Sequence, residues 1–352
     1  MCVVTFSWEE TDSVEKAKRF EETKTLSWAV IELTSLCNFN CLWCYASSNS
    51  NGQHMTKENA ERLIQILADS GIKQITCSGG EPLMYPYIRE FVKDASDHEM
   101  IVHMNTNGYF LTKELAKELY ELGLTQVQIN IDSLKPEIHD YIRGKKGSFN
   151  RAVQALKNAR DVGLTCVSQT VLTKLNEKEI IDIFKFARSI GVQRCRVWDM
   201  IMEGRAKEKM DLGPTNYIDT LKKLTKFAYE TGAQSIESGD PLFPQNYKTD
   251  LNVFGGYCGA TVGLFLTISP KGDVYFCAAL RDKLYNVFNI DSGGYKIAEF
   301  HKSKLKKYLQ QFKTISECFK CDFLNKCKGG CPSRRKYSES ADDYWCKILK
   351  NP

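Results

Sequence analysis

Three cysteines fall within eight positions in LTSLCNFNCLWCYAS (33–47). Cys37, Cys41 and Cys44 are spaced C-x3-C-x2-C, with Trp43 just before the last. Three thiolates on one loop can hold three irons of a [4Fe–4S] cube and leave the fourth iron open to a small ligand. A structural zinc site closes instead with four ligands. The nearest further donor, His54, is ten residues beyond Cys44. The spacing therefore suggests a working iron–sulfur centre rather than a structural metal.

The chain has 14 cysteines in 352 residues. A reducing compartment disfavours disulfides, so clustered cysteines there more often bind metal. Besides the first three, Cys258, Cys277, Cys318, Cys321, Cys327, Cys331 and Cys346 gather in the last third. Read alone, CFKCDFLNKCKGGC (318–331) is equally a zinc ribbon. Cys2, Cys77, Cys166 and Cys195 are scattered and read as small buried apolar residues.

The elements that must position these residues follow from periodicity. From about 28 to 230, strand-like runs alternate with amphipathic helical ones. WAVIELT (28–34) is β-branched and aromatic. NAERLIQILADSG (59–71) carries Ala60, Leu63, Ile64 and Leu67 on one face, and YIREFVKDASD carries Ile88, Phe91, Val92 and Ala95. Six such βα units, the last helix spanning 215–232, predict a parallel sheet, open or as an incomplete barrel. Chemistry then sits at the strand carboxyl ends. The special sequences fall there: the cysteine loop, SGGEP (78–82), NTNG (105–108), NIDS (130–133) and EGRA (203–206). Beyond a Pro/Gly-rich connection, LFLTISPKGDVYFCAAL predicts a hairpin turning at Lys271–Gly272.

Composition bounds the function. The apolar fraction is 43%, the charged fraction 26% and the net charge +5. This balance gives no argument for nucleic acid. No stretch approaches the roughly 18 apolar residues of a membrane span, and the first 20 residues lack a secretory apolar core. The expectation is a cytoplasmic enzyme.

The cysteine loop after a first strand, with an aromatic before its last Cys, resembles the radical SAM superfamily, and the tail resembles its SPASM domain. The implied fold is α/β: a partial (β/α)6 TIM-type barrel plus a small cysteine-rich domain. Boundaries follow as a short extension (1–27), the barrel (28–232), a bridging segment (233–257) and the SPASM region (258–352). The resemblance implies that Cys37, Cys41 and Cys44 hold the [4Fe–4S] cluster that binds S-adenosylmethionine. Gly79, Gly80 and Glu81 match the segment for the methionine amino group, the Gly–Gly pair letting backbone approach and Glu81 offsetting the ammonium. Trp43 matches the aromatic beside the adenine, and Thr106 and Asn107 match residues touching the nucleoside. Asn130 stands where many relatives have Ser, and Asp132 shares its strand face. Arg143 matches the cation for the methionine carboxylate, and Arg205 lies in the sixth-strand segment.

In the tail, the resemblance implies two auxiliary clusters. One would use Cys318, Cys321, Cys327 and Cys346. The other would use Cys258, Cys277 and Cys331, with Cys195 or Cys2 completing it if near. The implied mechanism is reductive cleavage of S-adenosylmethionine to a 5′-deoxyadenosyl radical that abstracts a substrate hydrogen. The expected substrate is a peptide or protein, crosslinked, epimerised or oxidised. Expected partners are an electron donor such as flavodoxin or ferredoxin and a separate leader-recognition protein, since only 27 residues precede the first strand. Ala278, where sulfatase maturases carry an aspartate, argues against that activity. The alternative is a haem or haem d1 enzyme acting on porphyrin propionates. A zinc-stabilised binding protein is the third reading. Asp199 and Glu203, ending strand six, are the candidate substrate-facing groups, set against solvated loop charges.

Overall fold

The computed structural model describes residues 26–231, 236–238, 258–261, 263–290, 296–312, 316–320, 329–336 and 346. Ten strands form one sheet: β1 (Trp28–Thr34), β2 (Gln74–Gly79), β3 (Ile101–Asn105), β4 (Leu124–Asn130), β5 (Thr165–Leu172), β6 (Arg194–Asp199), β7 (Ile236–Glu237), β8 (Phe265–Ile268), β9 (Asp273–Tyr275) and β10 (Lys283–Asn286). Their order is β10-β9-β8-β1-β2-β3-β4-β5-β6-β7. Strands β1 to β7 and β8 pair in parallel, and β9 and β10 add on antiparallel. The sheet thus extends past the six expected strands. β7 follows β6, and β8, from the C-terminal third, lies against β1 with Trp28 opposite Phe265. The β8–β9 hairpin turns where the sequence placed it.

Helices α1 (Lys57–Asp69), α2 (Ile88–Asp97), α3 (Lys113–Glu121), α4 (Pro136–Arg143), α5 (Ser148–Asp161), α6 (Ile180–Ser189) and α7 (Tyr217–Thr231) connect the parallel strands, and α8 (Lys296–Leu309) and α9 (Pro332–Lys336) follow them. Thr56 and Thr112 cap α1 and α3 by accepting from Asn59 N and Leu115 N, which satisfies amides that the first turn leaves unpaired. The buried stripes of α1 and α2 are the residues named from the sequence. They pack on the outward strand residues Ala29, Ile31, Leu33, Ile75, Cys77, Val127, Cys166 and Val197 in one core.

The inward residues differ in kind. Register places Glu32 beside Ser78, His103 beside Gln126, Asn105 beside Gln128, Asn130 beside Gln169, and Arg196 beside Glu237. Parallel strands buried on both faces usually read as continuous apolar runs. Here the lumen face is polar. Arg196 Nε donates to Glu237 Oε2 at 2.6 Å, and Arg196 Nη1 donates to Gln128 Oε1. Gln128 Nε2 donates to Gln169 Oε1 at 2.8 Å. Toward β8 the lumen turns apolar. Trp28, Val30 and Phe265 join Cys258, Cys277, Leu280 and Leu305 in a second cluster, with Tyr45 and Trp198 against it. The C-terminal segment therefore contributes a wall of the barrel lumen.

Three buried histidines make the fold acid-sensitive. Burial pulls His103 and His139 down to about 3 and His301 down to about 4. The unfolded chain protonates these groups near pH 6.5, and the folded chain does not. The unfolded state therefore binds more protons below pH 6.5. Stability is complete above that pH and is lost as pH falls toward 4, with a slope of up to about 4 kcal/mol per pH unit from the three groups. Urea unfolding at pH 7 and pH 5.5 should show this loss. His301→Gln should remove about a third of the slope, and an unchanged slope would refute the assignment.

Candidate active site

The cysteine loop is fixed by its backbone rather than its thiols. Gly80 N donates to Thr34 O at 2.7 Å, and Glu81 N donates to Leu36 O at 2.8 Å. A Cβ at Gly80 would lie 1.9 Å from Leu36 O, so only glycine lets the end of β2 seat here. Leu42 N donates to Ile142 O at 2.9 Å, which ties the loop to the end of α4. There a Cβ on Gly144 (φ +62) would meet Asn40 O at 2.4 Å. Arg205 closes the third side: Nε donates to Cys41 O at 2.8 Å, Nη2 to Ser48 O at 2.9 Å, and its backbone N to Cys44 O at 3.0 Å. Arg205 is thus a clamp on the loop. The Gly–Gly pair serves loop seating, where the sequence reading gave it to ligand approach.

Glu81 is buried and its carboxylate is already occupied. Oε1 accepts from Thr106 Oγ1 at 2.6 Å and Leu83 N at 3.1 Å, and Oε2 accepts from Asn107 N at 2.7 Å. Asn107 Nδ2 donates to Asn38 Oδ1 at 2.7 Å. Glu81, Thr106 and Asn107 therefore lock the ends of β2 and β3 to the cysteine loop, so their side chains organise the site. Burial raises the Glu81 pKa, opposed by these hydrogen bonds and by Arg143.

Asp132 is likewise an anchor. Its Oδ1 accepts from Val171 N at 3.0 Å, and its Oδ2 lies 3.4 Å from Arg143 Nη1. The Arg143 guanidinium lies over Trp43 at 4.8 Å and over Phe39 at 5.5 Å, a stacked cation with both rings as walls. Five N–H donors on that fork leave capacity for a carboxylate. Trp43 Nε1 and Asn130 Nδ2 are buried against the Asp132 carboxyl and help to keep it charged. Neither reaches full hydrogen-bond geometry there, so both retain capacity for a polar ligand.

Burial pushes the Cys37 thiol up to about 11 and the Cys41 thiol up to about 12, with Arg143 opposing. Only a bound metal would hold these groups as thiolates at neutral pH. Among the described residues no three Cys, His, Asp or Glu side chains converge on one metal ion. A cube takes its thiolates at separate corners, so the donor set suits a cluster.

Asp199 and Glu203 both face basic residues of α9. Asp199 Oδ2 pairs with Arg334 Nη1 at 3.3 Å, both side chains buried, and Glu203 Oε1 lies 3.9 Å from Lys336 Nζ. They join β6 and its following loop to α9. Cys77 and Cys166 sit in the outer core as expected. Cys195 is there too, accepting from Ser168 Oγ at 3.4 Å. It faces the helices rather than the lumen, so it cannot complete a site with Cys258 and Cys277. Cys318, Cys331 and Cys346 are described, while Cys2, Cys321 and Cys327 lie outside the described residues. The sequence reading missed Glu32, which is buried on β1 and gripped by Arg281 through bonds of 2.5 and 2.8 Å. It also missed the Gln128–Arg196–Glu237 chain. The legible signal was polar residues at every second position in TQVQIN and in the Arg194–Cys195–Arg196 start of RCRVWD.

The pattern of the Radical SAM superfamily matches residues 31–187, the span holding the hydrogen bonds described around the cysteine loop other than those of Arg205. Residues 31–187 thus carry a radical SAM domain. That domain makes the chain an S-adenosylmethionine enzyme with a [4Fe–4S] cluster. This radical SAM chain is 29% identical over 319 residues to the mycofactocin maturase MftC of Mycolicibacterium smegmatis, covering 89% of this chain and 79% of that one. It is 29% identical over 214 residues to the AdoMet-dependent heme synthase of Methanosarcina barkeri, covering 60% of this chain and 59% of that one. Its fold matches Streptococcus suis SuiB bound to precursor peptide SuiA, with TM-score 0.71, 18% identity, and 94% and 77% of the two chains covered. Among the described residues no helix is long and apolar enough to cross a membrane.

Arg205→Ala should free the cysteine loop without touching a thiol. Each lost hydrogen bond from a charged group contributes about 1.5 kcal/mol. Amide exchange across residues 41–48 should therefore quicken by about tenfold or more, and Arg205→Lys should recover only part of the protection. Equal protection in all three proteins would show that Arg205 is no clamp.

Proposed function

We propose that the chain is a radical SAM/SPASM maturase acting on a peptide or protein side chain. The observation that carries the reading is the docking of the C-terminal cysteine segment onto the barrel lumen: Cys258 and Cys277 share one buried cluster with Trp28, Val30 and Phe265 of the lumen wall. A substrate held there lies between the strand-end site and the C-terminal cysteines. The match to MftC, a mycofactocin maturase, and the likeness to SuiB, solved with a precursor peptide, support the peptide class.

In this reading Cys37, Cys41 and Cys44 ligate the cluster, and Arg143 receives the methionine carboxylate. Trp43 borders the adenine, and the buried donors of Trp43 and Asn130 complete the cofactor's polar contacts. When bound, the cluster and S-adenosylmethionine supply a 5′-deoxyadenosyl radical. The protein's own residues orient the cofactor and exclude water from the lumen. Cys258, Cys277 and Cys331 would hold one auxiliary cluster, and Cys318, Cys321, Cys327 and Cys346 the other. Ala278 is fully buried beside Cys277, so it offers no base of the sulfatase-maturase kind. The electron donor would be flavodoxin or ferredoxin, with leader recognition on a separate chain. The heme synthase match supports a second reading, a tetrapyrrole propionate as substrate.

The deciding experiment is anaerobic formation of 5′-deoxyadenosine by reconstituted, reduced protein with host extract fractions. Stimulation should sit in the macromolecular fraction and be destroyed by protease. Stimulation confined to a small, protease-resistant fraction would overturn the peptide reading and favour a porphyrin. Cys41→Ala should abolish 5′-deoxyadenosine formation in either case, and iron-free protein containing zinc would defeat both readings.

A further inference from the structure

The C-terminal segment carries an open groove of about 410 Å³ lined by Thr261, Lys302, Leu305, Lys306, Leu309 and Gln310. Its floor is thin. Leu305 is buried and Leu309 half-buried, and both belong to the apolar cluster that contains Cys258 and Cys277. Thr261 Oγ1 donates to Cys258 O at 2.7 Å, so the groove wall is hydrogen-bonded to a cysteine backbone. The groove's lining and those two cysteines thus belong to one packed cluster.

The rim is basic and uncompensated. Lys302, Lys306 and Lys307 on α8 are exposed and form no ion pair among the described residues. Several exposed lysines on the outer barrel helices differ: Lys57, Lys93, Lys117 and Lys226 each face an acid at i+4. A small polar ligand would want convergent partners deep in a pocket. Here the chemistry is a shallow apolar floor ringed by free ammonium groups.

We propose that this groove docks an acidic one-electron carrier protein, placing it over the cluster held by Cys258, Cys277 and Cys331. The proposal rests on the cluster assignment made under the proposed function and adds where electrons cross the surface. Redox encounters bury little area and rely on charge complementarity, which suits a small groove with a positive rim. The electrons balance as follows. Oxidising a substrate C–H bond removes two electrons: one leaves with the abstracted hydrogen atom, the other through the C-terminal cysteine segment. The second electron passes across the Leu305–Leu309 floor to the oxidised carrier, which becomes reduced by one electron. The accompanying proton leaves to solvent.

Oxidised flavodoxin is the probe, titrated into the anaerobic holoenzyme. For Lys302→Glu with Lys306→Glu, the dissociation constant should rise about tenfold at low ionic strength, and the difference should shrink as salt is added. Lys73→Glu with Lys117→Glu makes the same charge change at exposed sites on the barrel and should stay within about twofold of wild type. Binding that is absent in the wild type, unchanged in the groove pair, or equally weakened in both pairs overturns the docking site. The cluster reading fails separately, through missing auxiliary iron in the wild type. Dithionite needs no docking surface, so both charge-reversed proteins should keep wild-type iron content and dithionite-driven 5′-deoxyadenosine formation.

Discussion

A loop that must present bare thiols cannot be held in place by them. The cysteine loop is held instead by its own peptide carbonyls: Thr34 and Leu36 accept from the β2 end, and Cys41, Cys44 and Ser48 accept from Arg205. A further tie, Leu42 N to Ile142 O, comes from α4. These partners follow β2, β4 and β6, so the loop reaches its final geometry only when strands far apart in sequence have taken their places. Buried peptide groups are satisfied by being gripped, and the gripping uses carbonyls, with Cys37 Sγ alone accepting a backbone N–H, from Phe39 at 3.4 Å, among the bonds described for the three sulfurs.

The same economy of partners governs the buried charges. Asp132 faces Arg143, Glu32 faces Arg281, Asp199 faces Arg334, and Glu237 faces Arg194 and Arg196. Two of these pairs join the barrel to the segment after residue 257. Burying such pairs adds little net stability, because desolvation offsets their attraction. Their effect is positional: Glu32 selects Arg281 and Asp199 selects Arg334, which sets how the C-terminal segment sits on the lumen. Asp199 belongs to this framework through its buried pairing with Arg334.

Much of this was legible in sequence for a definite reason. Helix stripes and strand runs are repeated signals, and Ala60, Leu63, Ile64 and Leu67 obey them residue by residue. The cysteine spacing is local and survives without coordinates. Roles that depend on partners remote in sequence were not legible. The sequence shows Gly80 and Glu81 as a motif but cannot show that Leu36 O occupies the space a Cβ would need. It shows Arg205 near a strand end but not the carbonyls it reaches across more than 150 residues. Strand β7 is two residues long and carries no periodicity, yet its Glu237 completes the arginine network.

The placement of β8 bears on how the molecule is made. Of the described strands β1 is the first to leave the ribosome, and it takes β2 on one side soon afterwards. Its other side stays open until Phe265–Ile268 has been synthesised. Through most of translation the nascent barrel therefore carries an unpaired parallel edge, with Trp28 and Val30 uncovered on the lumen face. Open apolar edges are templates for wrong pairing. The strand that completes the lumen thus also ends the period in which a growing chain is most exposed to its neighbours on the polysome.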